Sequence, residues 1–280
     1  MRCVSDVGLA RRTIGHAGPP LRPDSRGSAK CCPCGTGRAP APLPLRQGSE
    51  LKPLLALTLD LDDTLWPIWP AIARAEAVLH AWLTEHAPAT AARHDPASLR
   101  QLRNEVAERH PEWAHDLSTI RLKSLELALA RCGDDPALAG PAFEVFFAER
   151  QRVELFDDVV PALERLAARF RLVALSNGNA DLQAVGLARW FSGAVSARGF
   201  GVGKPDARIF REACRVADAA PQQVLHVGDD LALDVEGALA AGLQAAWIVR
   251  PQIHPEPGVP PAGTHHVVKD LAELADRIGA

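Results

Sequence analysis

The run Leu54-Leu55-Ala56-Leu57-Thr58-Leu59 ends abruptly in Asp60-Leu61-Asp62-Asp63-Thr64, and the same design recurs twice downstream. Arg171-Leu172-Val173-Ala174-Leu175 runs into Ser176-Asn177-Gly178-Asn179, and Val224-Leu225-His226-Val227-Gly228 runs into Asp229-Asp230. Short continuous apolar runs between helix-period segments read as strands buried on both faces of a parallel sheet, which places the chain in the α/β class. In open sheets of that kind ligands bind beyond the carboxyl ends of the strands, so these polar ends are expected to meet in one crevice.

The first strand end carries the most chemistry. Residues two apart on a strand point to one face about 6 to 7 Å apart, so Asp60 and Asp62 are expected to face one space while Leu61 points away. Crowded carboxylates resist desolvation and repel each other, and they persist where a cation or a reacting group compensates them. One can attack while the other moves a proton, and a divalent ion can shield both from a phosphate. Asp60, Asp62 and Thr64 also match positions one, three and five of a calcium-binding helix-loop-helix, but Leu65 stands where that loop needs glycine and Ala71 where it needs glutamate. Between the later strands, Gly203-Lys204-Pro205-Asp206 reads as a turn opening a helix through Arg215. Asp234, five residues after Asp229, is expected either to cap a helix Val235 to Ala241, stopped by Gly242, or to stand behind the metal.

Taken in order, DxDxT at Asp60, Asp62 and Thr64, an apolar strand ending at Ser176-Asn177, the lysine of Gly203-Lys204-Pro205, and GDxxxxD at Asp229 and Asp234 resemble the haloacid dehalogenase superfamily. The resemblance covers roughly residues 51 to 250. It implies a Rossmann-like three-layer core with a mainly parallel sheet and an inserted α-helical cap. It further implies Asp60 as a nucleophile forming an aspartyl phosphate, Asp62 as acid and then base, and Mg²⁺ held by Asp60, Asp229 and the backbone carbonyl of Asp62. Thr64, Ser176, Asn177 and Lys204 would grip the phosphoryl group. Halide displacement from carbon needs no protonation of the leaving group, so Asp62 favours a phosphatase over a dehalogenase. A catalytically silent binding module of the same fold is the contrasting reading, since fold alone does not establish activity.

The segment between Thr64 and Ser176 far exceeds one crossover helix. Ala71 to His86, Ser98 to His110, Leu117 to Cys132 and Pro141 to Val153 read as helices, with Leu122, Leu125 and Leu129 at helical spacing in the third. The expected division is a core of residues 51–68 and 156–280 with a helical cap of residues 69–155 that excludes water and selects a small phosphorylated metabolite. A finer resemblance runs from Leu59 through Pro67, over the segment His115-Asp116-Leu117 to Ser124, through Ser176-Asn177-Gly178-Asn179-Ala180, and from His226 to Ile248. It points to bacterial phosphatases that hydrolyse FMN and 5-amino-6-(5-phospho-D-ribitylamino)uracil in riboflavin metabolism. Trp66 and Trp113 are candidate stacking surfaces, and His115 and Arg121 candidate polar contacts from the cap.

With a formal charge of -3 and no aromatic-studded basic stripe, the chain lacks the footprint of a nucleic-acid binder. No apolar run approaches the roughly 20 residues of a membrane span. Residues 1–50 are rich in Pro, Gly, Arg and Ser, and read as a disordered tail. Met1 is the only methionine, and an over-extended start is the leading explanation of that tail, beside a basic organellar presequence. Cys3, Cys31, Cys32 and Cys34 fall within it, leaving Cys132 and Cys214 for the folded part, which argues against a disulfide framework. The expectation is a cytoplasmic enzyme, monomer or homodimer, acting on a small-molecule phosphate ester.

Overall fold

The run that begins at Leu54 forms strand β1 (Ala56–Leu59), with all four residues buried. In the computed structural model, which describes residues 53–255 and 258–280, the chain then leaves the sheet for five helices. These are α1 (Ile68–His86), α2 (Pro88–Arg93), α3 (Pro96–Arg109), α4 (Leu117–Cys132) and α5 (Ala139–Arg150). It returns through α6 (Val159–Ala167) into β2 (Arg171–Ser176) and continues through β3 (Gly193–Ser196), α7 (Ala197–Phe200), α8 (Ala207–Ala217) and β4 (Val224–Gly228). A helical turn Leu231–Glu236 leads into α9 (Gly237–Ala241), followed by β5 (Gln244–Ile248), β6 (His266–Val268) and α10 (Leu271–Arg277). The N-terminal tail and its four cysteines lie outside the described residues. Cys132 and Cys214 are free thiols, and no described helix is long and apolar enough to cross a membrane.

The six strands pair in the order β3-β2-β1-β4-β5-β6, all parallel. The chain builds outward from β1 on one side and then from β4 on the other. Loops leaving β1 and β4 therefore diverge, and the crevice expected of a doubly wound sheet opens at their carboxyl ends. Alternation along β1 feeds two cores. Leu57 and Leu59 pack with Leu163 and Leu166 of α6 and Leu271 and Leu274 of α10, while Ala56 packs with Ile209 and Phe210 of α8 and Ala238 of α9. This is the expected three-layer α/β core. In α8, Ile209, Phe210, Ala213, Cys214 and Ala217 recur at helical spacing and are buried, and the Asp206 carboxylate caps the helix at Arg208 N. Each such large side chain contributes about 1.5–3 kcal/mol through burial.

Helices α1 to α5 bury a cluster of their own, centred on Leu79, Leu83, Leu99, Leu102, Leu125, Leu129 and Phe146. Two details differ from the sequence expectation. Helix α1 starts at Ile68 because Pro70 falls in its first turn, where a missing N–H costs nothing. The stretch between His86 and Ser98, for which no helix is expected, forms α2 with Pro88 at its start. Asp134 pins this helix by accepting from both Thr90 N and Thr90 Oγ1, each at 2.7 Å.

Candidate active site

Asp60 prolongs β1 by one residue, its N–H donating to Val227 O of β4 at 2.9 Å, so its side chain stands where the two strands diverge. Lys204 reaches it from the turn before α8. Its Nζ donates to Asp60 Oδ1 and to Asp234 Oδ1, both at 2.5 Å, in a nearly sealed environment. Burial opposes the charge on Lys204, but Asp234 and Asp60 outweigh it and hold the ammonium above its ordinary range.

Asp234 is braced on every side. Its Oδ1 also accepts from His226 Nε2 at 3.0 Å, and its Oδ2 accepts from Asp230 N at 3.0 Å. Burial pushes His226 down, so the ring is neutral; with its proton on Nε2, Nδ1 accepts from Thr58 Oγ1 at 2.8 Å. Asp234 is therefore no helix cap. That position belongs to Asp230, whose Oδ1 accepts from Ala232 N and Leu233 N at 2.8 Å. Gly228 has no alternative, because a Cβ there would collide with the Asp234 side chain.

Asp229 accepts from Thr64 Oγ1 at 3.1 Å, and His254 Nε2 lies 3.5 Å from its Oδ2. Oxygens of Asp60, Asp229 and Asp234 lie within 4.8 Å of one another. Burial, then Asp234 and Asp63, push the Asp229 carboxyl up to about 7. Burial likewise raises Asp60 well above its ordinary range despite Lys204. Two buried carboxylates and a partly buried third facing one ammonium leave a surplus of negative charge among oxygen donors, which fits a hard divalent ion. Because both oxygens of Asp234 are committed, Asp60 and Asp229 are the side chains free to hold one.

Asp62 is held by a second, separate network. The backbone turns sharply at Asp63, which adopts a positive φ of 60°, and Asp63 Oδ1 accepts from Ile68 N at 2.9 Å to start α1 rather than lying idle in solvent. Trp66 Nε1 donates to Asp62 Oδ1 at 2.9 Å. Arg150 Nη2, from the last residue of α5, donates to Asp62 Oδ1 and Oδ2 at 2.8 and 2.7 Å. Arg150 Nε donates to Asn179 Oδ1 at 2.9 Å, and Asn179 Nδ2 donates to Ser118 Oγ of α4 at 3.1 Å. Sequence reading missed Arg150. The signal was present, since it continues the buried stripe Ala139, Ala142 and Phe146 at helical spacing, where a charge needs a reason.

Ser176 ends β2, with its Oγ accepting from Gly178 N at 2.9 Å. A Cβ on Gly178 would collide with Asp62 Oδ2 and come within 3.2 Å of Ser176 Oγ, so two strand ends can meet here only around a glycine. The Asn177 side chain is turned to another use than the expected grip on phosphate. Its Oδ1 accepts from Lys204 N at 2.7 Å and its Nδ2 donates to Lys204 O at 2.9 Å, clamping the lysine turn to β2. Arg250, also unforeseen, donates from Nη2 to Thr64 O at 2.8 Å and from Nη1 to Asp158 Oδ1 at 2.6 Å, fixing the loop that follows Asp60.

A cavity of about 170 Å³ opens beside Asp62, Gly178 and Asn179, with α1, α3 and α4 forming its far wall. Arg121 lines it, as expected, but Trp113 and His115 do not. Trp113 lies in a short turn opened by Pro111 and stacks on His110 at 4.0 Å between ring centroids. Trp66 is fully buried and presents no free face. The aromatic in the wall is Trp69, which is 60% exposed.

Residues 54–242 match the family model described as hydrolase, haloacid dehalogenase-like. The chain is 35% identical over 201 residues to the 5-amino-6-(5-phospho-D-ribitylamino)uracil phosphatase YigB of Escherichia coli (strain K12), an alignment covering 70% of this chain and 84% of that protein. It is 37% identical over 168 residues to the phosphoserine phosphatase of Thermus thermophilus, covering 58% and 65%. Among solved structures, a 2-haloacid dehalogenase from Pseudomonas syringae pv. Tomato DC3000 superposes with a TM-score of 0.73 at 36% identity, covering 81% of this chain and 98% of that one. The matched region contains all three polar strand ends, the lysine turn and the helices α1 to α6 between β1 and β2, and the chain belongs to the haloacid dehalogenase-like hydrolases.

Proposed function

We propose that this enzyme, a phosphatase of the haloacid dehalogenase-like family, hydrolyses a small phosphorylated metabolite through an aspartyl phosphate on Asp60. One observation carries the reading. Two carboxylates leave the same strand end but are held by independent networks, Asp60 by Lys204 and Asp62 by Arg150 and Trp66. That arrangement suits two different roles.

A free oxygen of Asp60 attacks phosphorus and the bond to the leaving oxygen breaks, while Asp62 gives that oxygen a proton. Water then attacks the aspartyl phosphate, Asp62 takes the proton, and Asp60 is restored with release of inorganic phosphate. Lys204 and Ser176 bind the phosphoryl oxygens, and Asp234 and Asn177 keep Lys204 in place. Mg²⁺ held by Asp60, Asp229 and the Asp62 carbonyl would offset the charge of the phosphoryl group. Residues 69–155 act as the cap, tied to both strand ends through Arg150 and Asn179. Asp62 would be superfluous in halide displacement, which argues against that activity despite the dehalogenase-like structure.

Similarity to YigB over most of its length supports 5-amino-6-(5-phospho-D-ribitylamino)uracil as substrate, and FMN rests on the motif resemblance alone. Phosphate release is to be measured from 5-amino-6-(5-phospho-D-ribitylamino)uracil, FMN, sugar phosphates and p-nitrophenyl phosphate, and halide release from 2-chloropropionate, each with Mg²⁺ and with EDTA. Magnesium-dependent turnover favouring the first two is expected. Preference for a sugar phosphate would discard the pathway, and halide release alone would discard the phosphatase.

A further inference from the structure

The cavity beside Asp62 is built from charge where packing alone would use leucine. Its far wall carries Arg100, Arg103 and Arg121 against one carboxylate, Glu76. Glu76 is 4% exposed and is taken by Arg100, whose Nε and Nη2 bind its two oxygens. Arg121 Nη2 stays 3.7 Å from Glu76 Oε1, beyond hydrogen-bond reach, and its guanidinium lies over the Phe146 ring at 3.7 Å from the centroid. Arg103 turns Nη2 to Asn104 Oδ1 at 2.6 Å, a neutral partner. Thus one carboxylate serves three guanidiniums, and Arg121 is only 6% exposed. Burial first, and then the neighbouring Arg103, pull Arg121 down to about 10.

A second observation concerns another arginine of the same lining. Arg150, 2% exposed, is part of that lining, and its Nη1, closed off behind the surface, has no hydrogen-bond partner among the described residues. An orphaned buried donor in a native fold needs an acceptor from elsewhere. Its other nitrogens are spent on Asp62 and Asn179, so Nη1 is the donor left over.

We propose that this cavity is a leaving-group subsite for an end group carrying anionic or carbonyl oxygens, bound by Arg121 and Arg103 with Arg150 beside them. The proposal rests on the reading of Asp62 as the proton donor to the leaving group, and deepens it by naming the chemistry of that group. A plain polyol or an amine would leave the surplus charge uncompensated, whereas an acceptor-only group satisfies it. At about 170 Å³ the space is smaller than the roughly 300 Å³ at which pockets for drug-sized ligands begin. It suits a carboxylate or a single dione ring, with the exposed face of Trp69 beside it, better than a fused tricyclic ring.

The test uses matched pairs of phosphate esters with Mg²⁺: 3-phosphoglycerate against glycerol 3-phosphate, which adds a carboxylate, and 5-amino-6-(5-phospho-D-ribitylamino)uracil against ribitol 5-phosphate, which adds a pyrimidine dione. We expect kcat/KM to favour the acceptor-bearing member of at least one pair by about tenfold or more, and the pair that shows it identifies the source. Arg121→Met should collapse that ratio towards one, with the loss in KM and partial recovery in Arg121→Lys. Arg103→Met, at a less buried position, gives the same readout should Arg121→Met fail to fold. Turnover with no preference within either pair, or a preference that neither substitution changes, overturns the inference while leaving the phosphatase intact. Absence of turnover of every ester overturns the phosphatase and the inference together.

Discussion

Replacing Arg150 by methionine removes both charged contacts to Asp62 while keeping most of the side-chain volume in the α5 stripe. Asp62 is then tethered by Trp66 Nε1 alone, at 2.9 Å. A hydrogen bond to a charged group contributes about 1.5–3 kcal/mol. If up to about 3 kcal/mol now serves to orient the carboxylate towards the leaving oxygen, its loss lowers kcat by up to about 100-fold. That loss should fall on alkyl phosphates, whose leaving oxygen needs a proton as the bond breaks. With p-nitrophenyl phosphate, whose leaving group departs as a stable anion, kcat/KM, which reports the first transfer and not the later attack of water, should fall by less than about threefold. Stability should drop by only about 1–3 kcal/mol, because the Asp62 side chain is 22% exposed and water can replace the guanidinium. Steady-state kinetics on glycerol 3-phosphate and p-nitrophenyl phosphate, with thermal melts on the same samples, separate these effects. Equal losses of kcat/KM on both esters would refute the claim that Arg150 acts through Asp62, as would no loss on either.

Asp60→Asn should lower kcat by about 10³-fold or more in a protein that melts normally, and acid quenching of the wild type during turnover of a ³²P-labelled ester should trap label on Asp60. Gly178→Ala places a methyl against Asp62 Oδ2 and Ser176 Oγ and should cut kcat by at least tenfold with every ester, which kinetics beside a far-ultraviolet spectrum will check. Asp229, pushed to about 7 by burial in the metal-free protein, binds its proton more tightly folded than unfolded. Its contribution to stability is therefore present below about pH 4 and is lost as pH rises to 7, by up to about 4 kcal/mol over the whole span. Melts in EDTA should accordingly fall between pH 5 and 8, and added Mg²⁺ should raise Tm more at pH 8 than at pH 5.5; an equal rise at both would refute the surplus-charge account of the site.

The legible part of the fold was local. The runs that became β1, β2 and β4, each of which stops at a polar group, required nothing beyond period and composition, and α4 was placed from Leu117 to Cys132 by its leucine spacing. Helix starts were placed too late where a proline opens the helix: Pro70 sits inside the first turn of α1, expected from Ala71, and Pro88 opens α2, which was not expected. The meeting of polar groups was legible at Asp60, Asp62, Ser176 and Asp229, which end or follow buried strands, whereas Lys204, in a turn, stood out only through the resemblance.

The amino-acid sequence by itself determined the α/β class, the helical insert after the first strand and the residue types gathered at the strand ends, since these follow from patterns only a few residues long. Tertiary structure alone decided how those residues divide the labour. Asn177 clamps the backbone of Lys204 because β2 lies beside that turn, Asp234 is saturated by Lys204 and His226 rather than capping a helix, and Arg150 reaches Asp62 across 88 positions of chain. The cavity wall took Trp69 and a cluster of arginines instead of Trp113 and His115. Such pairings are set by which faces of distant elements the packing of the insert brings together, and no local period records them.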